Sequence, residues 1–340
     1  MQTTERQRLF RPEGTENHKG LADAIGNTPL VQLSRIFPHA EIELFAKLEM
    51  LNPGGSIKDR PALNILETAL ANGAIDHETT IIESSSGNMG IGLAQVCAAL
   101  GLRLVCVVDS RTSQQNIKMM EIYGATVEVV TEPDPQTNDL LVARINRVKH
   151  LVATIPGAYW CNQYGNLANA AAHHQTMAEI TEACRRPVDY LFCATSSCGT
   201  LRGTADYVRA NDLPTQIIAV DAVGSVIFGE PPGRRLIPGH GAARVPELYE
   251  AGLEQRHVNI TEIDCVAGCR RLLQREGILA GGSSGAVIAA IEQCVPHLPP
   301  SSICVAILCD RGERYLDTIY SDTWVQDNLS EPPQEWRKAG

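Results

Sequence analysis

Short apolar runs alternate along this chain with longer stretches in which apolar positions recur every three or four residues. The runs predict strands over 42–48, 80–83, 103–108, 126–130, 188–193, 216–220 and 303–308. The stretches predict helices over 59–72, 88–100, 113–123, 138–151, 166–184, 199–211, 263–276 and 284–294. Gly73, Gly101 and Gly124 follow three of these helices, where the chain leaves the helix through a left-handed residue. Runs such as Leu104-Val105-Cys106-Val107-Val108 lack strict alternation. Such strands are buried on both faces, as in parallel sheets covered by helices. The pattern therefore predicts an α/β chain with two open sheets, and 340 residues suit two domains.

Composition narrows the classes. A net charge of −10 with a pI near 5.4 argues against nucleic acid, whose phosphates require a basic face. The 11 cysteines are odd in number and sit mostly in apolar runs, which favours reduced thiols and a cytoplasmic protein over a disulfide framework. Cys265 and Cys269 lie four apart on a predicted helix, and no further ligands stand at zinc-type spacing, so no metal is expected. Residues 1–20 carry no apolar core of a signal peptide, and no run reaches the ~20 apolar residues of a membrane span. Residues 1–20 are expected to form a loose arm and residues 327–340 a weakly structured tail.

Four segments at strand-to-helix junctions carry candidate chemistry. In Asn52-Pro53-Gly54-Gly55-Ser56-Ile57-Lys58-Asp59-Arg60, a lysine held at a cleft floor loses hydration and can form a Schiff base. Ser84-Ser85-Ser86-Gly87-Asn88-Met89-Gly90 offers hydroxyls and backbone N–H groups suited to a carboxylate, or simply a serine cap. Thr195-Ser196-Ser197-Cys198-Gly199-Thr200 is a small-residue turn that can cradle a phosphate, and it matches neither a P-loop nor a dinucleotide fingerprint. Gly281-Gly282-Ser283-Ser284-Gly285 heads a helix, and capping alone would explain it.

In this order and spacing the four segments resemble the cysteine synthase/cystathionine β-synthase family, fold type II of the pyridoxal 5′-phosphate enzymes. Gly26-Asn27-Thr28-Pro29-Leu30, Asn162-Gln163-Tyr164-Gly165-Asn166, Gly239-His240-Gly241-Ala242 and Asp310-Arg311-Gly312-Glu313-Arg314-Tyr315-Leu316 fit the same pattern, so the likeness covers about residues 21–325. The resemblance implies two open twisted α/β/α domains with the cofactor in the cleft between them. It divides the chain into a large domain over 21–52 and 160–326, and a small mobile domain over 53–159 that closes over the substrate. It implies a homodimer. It makes Lys58 the lysine that carries pyridoxal phosphate and moves the substrate α-proton, and Asn88 the partner of the cofactor 3′-oxygen. Ser196, Ser197, Cys198, Gly199 and Thr200 would hold its phosphate, and Ser284 would face the pyridine nitrogen. Ser85, Ser86, Gly87 and Met89 match the family's substrate-carboxylate loop.

Departures from the cysteine synthase pattern narrow the resemblance. Asn88-Met89-Gly90 lacks a hydroxyl that those enzymes carry, the phosphate loop is poor in glycine, and Thr176-Met177-Ala178-Glu179 replaces a Thr-Thr-Gly-Pro run. Ala158-Tyr159-Trp160, Gly224-Ser225-Val226-Ile227-Phe228-Gly229, Ala243-Arg244-Val245-Pro246-Glu247 and Tyr320-Ser321-Asp322-Thr323-Trp324 are similar instead to a siderophore-pathway branch of the family. That branch joins O-phospho-L-serine and L-glutamate on the way to L-2,3-diaminopropionate. It implies that Arg144 and Tyr164 bind substrate, with Arg234, Arg235 and Arg244 as weaker candidates. The alternatives are an O-acetylserine or O-phosphoserine sulfhydrylase and a regulatory protein that binds the cofactor without turnover. By helical periodicity Arg144 lies at the border of an apolar face and could equally meet water. His173-His174 is expected to be a packed helix position.

Overall fold

The computed structural model describes residues 20–329, so most of the arm expected over 1–20 and of the tail expected over 327–340 lies outside the described residues. Two sheets form. The larger runs in the order β1 (Leu30–Gln32), β2 (Glu43–Leu48), β10 (Ile303–Leu308), β7 (Tyr190–Ala194), β8 (Gln216–Ala222), β9 (Arg256–Ile260). The smaller runs β5 (Thr126–Val130), β4 (Arg103–Asp109), β3 (Thr80–Ser84), β6 (Tyr159–Trp160). Every pair is parallel except β1 with β2. This is the α/β arrangement that the unalternating apolar runs predict, and β3 and β10 are buried at every position.

The helices are α1 (Leu21–Ala24), α2 (Asp59–Ala71), α3 (Asn88–Leu100), α4 (Gln114–Ile122), α5 (Leu140–Thr154), α6 (Leu167–Ala183), α7 (Gly199–Ala210), α8 (Glu262–Glu276), α9 (Gly282–Cys294) and α10 (Asp322–Asn328). Each sheet is packed on both faces. On the large sheet, α8 and α9 cover one side and α6 and α7 the other. Helices α2, α3 and α4 cover one side of the small sheet, and α5 the other. Helix α9 is apolar all round and buried from Gly282 to Ile291. It lies so close to α8 that a Cβ on Gly268 would stand 2.1 Å from the Gly285 carbonyl oxygen. Cys265 and Cys269 are packed into that contact, and among the described residues no cluster of potential metal ligands forms. No helix among them is long and apolar enough to cross a membrane.

A buried charge network ties β2, α2 and α6 together. Lys47 Nζ donates to Glu179 at 2.6 Å, and the Arg60 guanidinium donates to both Glu49 and Glu179 at 2.6–2.8 Å. Two cations face two anions, so no charge is left over. Burial raises the Glu179 carboxyl, but its hydrogen bonds from Arg60 and Lys47 overcome that and bring it down to about 2. Glu179 thus has a structural role in this network. Its carboxylate is the second anion that Lys47 and Arg60 require.

Candidate active site

The four segments singled out in the sequence converge on one cavity between the two sheets. Its wall includes Lys58, Ser85, Ser86, Gly87, Asn88, Met89, Arg144, Tyr164, Ser196, Ser197, Cys198, Gly199 and Thr200. Each arrives on the loop before a helix, except Arg144 on α5, Tyr164 in the loop after β6, and residues in the first turns of α3 and α7. Lys58 is the residue immediately before α2, and its amine forms no ion pair among the described residues. Its loop is held to the large sheet by Ile57 N–H on the Cys309 carbonyl (2.7 Å) and Arg311 N–H on the Gly55 carbonyl (3.2 Å). Gly54 N–H donates to Asp59 Oδ2.

The turn before α7 has no side-chain cap. Cys198 stands in the left-handed region at φ +62°, and the N–H groups of Gly199, Thr200 and Leu201 have no partner among the described residues. A Cβ at Gly199 would come within 2.1 Å of Asn169 Oδ1. Asn169 in turn donates to the Gln163 carbonyl (2.7 Å) and to Ser197 Oγ (3.3 Å), which fixes the cradle against the Tyr164 loop. Behind the cradle, His173 is fully buried between Thr176 and Thr200, and burial holds its imidazole well below the ordinary range. His173 is a packed helix position there, while His174 is exposed.

Helix α3 begins in the same manner. Gly87 provides no cap; Ser85 Oγ takes the Gly90 N–H at 3.0 Å, and the N–H groups of Asn88 and Met89 remain free. Serine capping therefore satisfies one N–H of this first turn and leaves two. Asn88 is engaged from the large sheet: its Nδ2 donates to Asp310 Oδ2 at 2.7 Å, and its Oδ1 accepts from Arg314.

Ser284 does not line the cavity. It is fully buried, and its Oγ accepts the Cys309 backbone N–H at 2.9 Å. The adjacent Ser283 lines the cavity beside Cys309. Consecutive helical residues differ by about 100° in direction, so only one of the tandem serines can face the cleft. The sequence pattern leaves that phase open; in the structure Ser283 lines the cavity and Ser284 packs behind it on the Cys309 N–H.

Arg144 turns mostly inward. Its side chain is 12% exposed, with Nη1 3.4 Å from Asp109 Oδ2, and Nε and Nη1 make no hydrogen bond. Arg244 also lines the cavity, stacked 5.1 Å above the Tyr164 ring and without an ion pair among the described residues. Arg235 lies outside it, donating to the His240 carbonyl, and Arg234 is exposed. Glu83, Asp310 and Tyr315 also line the wall. They received no role from the sequence, although the Asp310-to-Leu316 segment stood out as part of the family pattern.

A phosphate-bearing pyridine aldehyde fits this donor set. Uncapped N–H groups and the Ser196, Ser197 and Thr200 hydroxyls form an anion cradle. An amine without a salt-bridge partner and the Ser283 hydroxyl share the same cavity. The similarities to known proteins agree. An O-acetylserine dependent cystathionine β-synthase from Helicobacter pylori is 31% identical, with a TM-score of 0.83 over 90% of this chain and 99% of that one. An O-ureido-L-serine synthase bound to O-ureido-L-serine is 28% identical, with a TM-score of 0.82 over 95% and 98%. A hydrogen sulfide-producing enzyme from Fusobacterium nucleatum is 31% identical, with a TM-score of 0.81 over 88% and 98%. Residues 21–310 match the pyridoxal-phosphate dependent enzyme family, and the chain belongs to that family.

Proposed function

We propose that this enzyme carries out a β-replacement in which the amino group of L-glutamate displaces phosphate from O-phospho-L-serine, giving N-(2-amino-2-carboxyethyl)-L-glutamate. The observation that carries the reading is the pair of cavity-facing arginines, Arg144 with unbonded guanidinium N–H groups and Arg244 without an anion. A phosphate leaving group and a nucleophile with two carboxylates bring acceptors for the unbonded Arg144 N–H groups and an anion for Arg244. Sulfide as nucleophile would need neither.

Bound pyridoxal phosphate supplies the electron sink that lets an amino acid lose its α-proton and its β-substituent. The protein's residues do the rest. The amine of Lys58 holds the cofactor and moves the proton at the substrate Cα. The free Asn88 and Met89 N–H groups at the start of α3, with Ser86, bind the substrate carboxylate. The N-terminus of α7 takes the cofactor phosphate, so the positive end of that helix faces a fixed anion. Ser283 presents a neutral hydroxyl to the pyridine nitrogen, which cannot keep that nitrogen protonated as a carboxylate would. A weaker sink of this kind favours elimination and replacement over transamination. Arg144 takes the phosphate of the first substrate, with Asp109 holding its guanidinium at the wall. Arg244 and Tyr164 receive the second substrate.

Mass spectrometry of products from O-phospho-L-serine or O-acetyl-L-serine, each with L-glutamate or sulfide, tests the reading. The glutamate adduct from phosphoserine is expected, and cysteine as the sole product would overturn it in favour of a sulfhydrylase. Arg144→Ala should keep the bound-cofactor spectrum and slow the glutamate reaction about ten-fold or more, since losing a desolvated charge-paired contact costs about 2–5 kcal/mol.

A further inference from the structure

The carboxamide of Asn88 stands between two opposite charges from the large-sheet side of the cleft. Nδ2 donates to Asp310 Oδ2 (2.7 Å), and Oδ1 accepts from the Arg314 guanidinium. Tyr315 donates its hydroxyl to the same Asp310 oxygen (2.5 Å), and Arg314 also donates to the Gly54 carbonyl. Asp310 is itself fixed by its backbone, with its carbonyl accepting Gly281 N–H at 3.0 Å. Turning the carboxamide over would set its oxygen against a buried carboxylate and its NH2 against a guanidinium. A carboxylate only accepts and a guanidinium only donates, so the turned arrangement loses both hydrogen bonds and adds two repulsions.

We infer that Asp310 and Arg314 are positioning residues that lock Asn88 in one amide orientation, so that Asn88 meets the cofactor as a hydrogen-bond donor. The amide nitrogen has two hydrogens and Asp310 takes one, which leaves the other for the cavity that Asn88 lines. Its acceptor in the holoenzyme is an oxygen with negative charge, and the cofactor ring carries one in its 3′-oxygen. The inference rests on the reading that Asn88 touches the cofactor.

The test compares holoenzymes of the wild type, Asn88→Ala, Asp310→Asn and Arg314→Met. Two quantities are read: the ratio of the visible and near-ultraviolet absorption bands of bound pyridoxal phosphate, and cofactor retention in equilibrium dialysis. Asp310→Asn and Arg314→Met should each move the band ratio in the same direction as Asn88→Ala. Each should weaken retention about two- to ten-fold, the span of one neutral hydrogen bond. If Asn88→Ala changes both quantities while Asp310→Asn and Arg314→Met leave them at wild-type values, the positioning role is overturned and the contact of Asn88 with the cofactor stands. If Asn88→Ala itself changes neither, the contact falls and the inference with it. Should Asp310→Asn fail to fold, Arg314→Met carries the test alone, with the same expected direction and the same overturning result.

Discussion

The longer helices of this protein begin in two different ways. Helices α4, α5, α6 and α8 are capped by a side chain: Ser113 accepts Asn116 N–H, Asp139 accepts Leu141 N–H, Asn166 accepts Ala168 N–H and Thr261 accepts Asp264 N–H. At helices α2, α3, α7 and α9 the preceding residue, Lys58, Gly87, Cys198 or Gly281, provides no cap, and in α3 only the Gly90 N–H is taken, by Ser85 two residues further upstream. All four uncapped helices begin at the cavity, and none of the four capping residues lines it. A missing cap costs about 0.5–2 kcal/mol. At the cavity that loss keeps N–H groups and helix dipole available to anions; elsewhere it would bring nothing, and there the sequence supplies Ser, Thr, Asn or Asp. Serine clusters near a helix start are thus ambiguous, and position relative to the cleft resolves them.

The comparison breaks most severely if an anion is built into the cradle. Ser196→Asp should supply a carboxylate to the free N–H groups of α7 and repel the cofactor phosphate. Like charges so placed cost several kcal/mol, so cofactor retention in dialysis should fall about a thousand-fold while the melting temperature of the apoprotein holds or rises. Retention near the wild-type value would mean that α7 does not hold the phosphate.

A smaller effect concerns Asp59, the only acid in the first turn of the four uncapped helices. Burial pushes its carboxyl up to about 7, with Gly54 N–H and Arg314 opposing. Asp59 is therefore protonated in the folded chain over a range where the unfolded chain has released its proton. Its contribution to stability is present below about pH 4 and is lost as the pH rises to about 7. Asp59→Asn removes that dependence. The stability difference between variant and wild type in urea titrations should grow in the variant's favour from pH 4 to 8, by on the order of 3 kcal/mol. A difference independent of pH would place an ionised Asp59 at this helix start.

The smallest effect sharpens the contrast from the other side. Asp139→Ala and Thr261→Ala should each cost about 1 kcal/mol in denaturant titrations and leave cofactor retention unchanged. A loss of retention in either variant would show that the capped helices also serve the site.

The alternation of elements and the cavity loops were legible in the sequence because each rests on local pattern. What escaped is instructive. β9 reads Arg-His-Val-Asn-Ile, with polar residues exposed at the sheet edge, so it lacks the apolar run that marks its neighbours. β1 and β6 have three and two residues, too short for any periodicity. Helix α10 follows Ser321, which caps Trp324 N–H, yet its seven residues bury only Val325. At the site, Lys58 and the two anion loops carry their small residues in sequence. The Asn88–Asp310 contact joins residues 222 apart, and no local signal announces it. Nor does sequence order say which of Ser283 and Ser284 turns inward.

Strand order also sets a timetable for biosynthesis. β10, the last strand in chain order among the described residues, inserts between β2, the second, and β7. Until Ile303–Leu308 and the residues after it emerge, β2 and β7 have no shared neighbour, and the Ile57 N–H and Gly55 carbonyl that fasten the Lys58 loop have no partners. Roughly 250 residues separate β2 from β10, on the order of 10–50 s of translation, during which the apolar edge of β2 stands open, joined by that of β7 once residue 194 is made. The small sheet, contiguous from β3 to β6, can close in that interval. The growing chain is therefore most exposed to mispairing, and to chaperones, in the half that carries the large sheet, and the cavity is not complete until β10 and the residues after it have emerged.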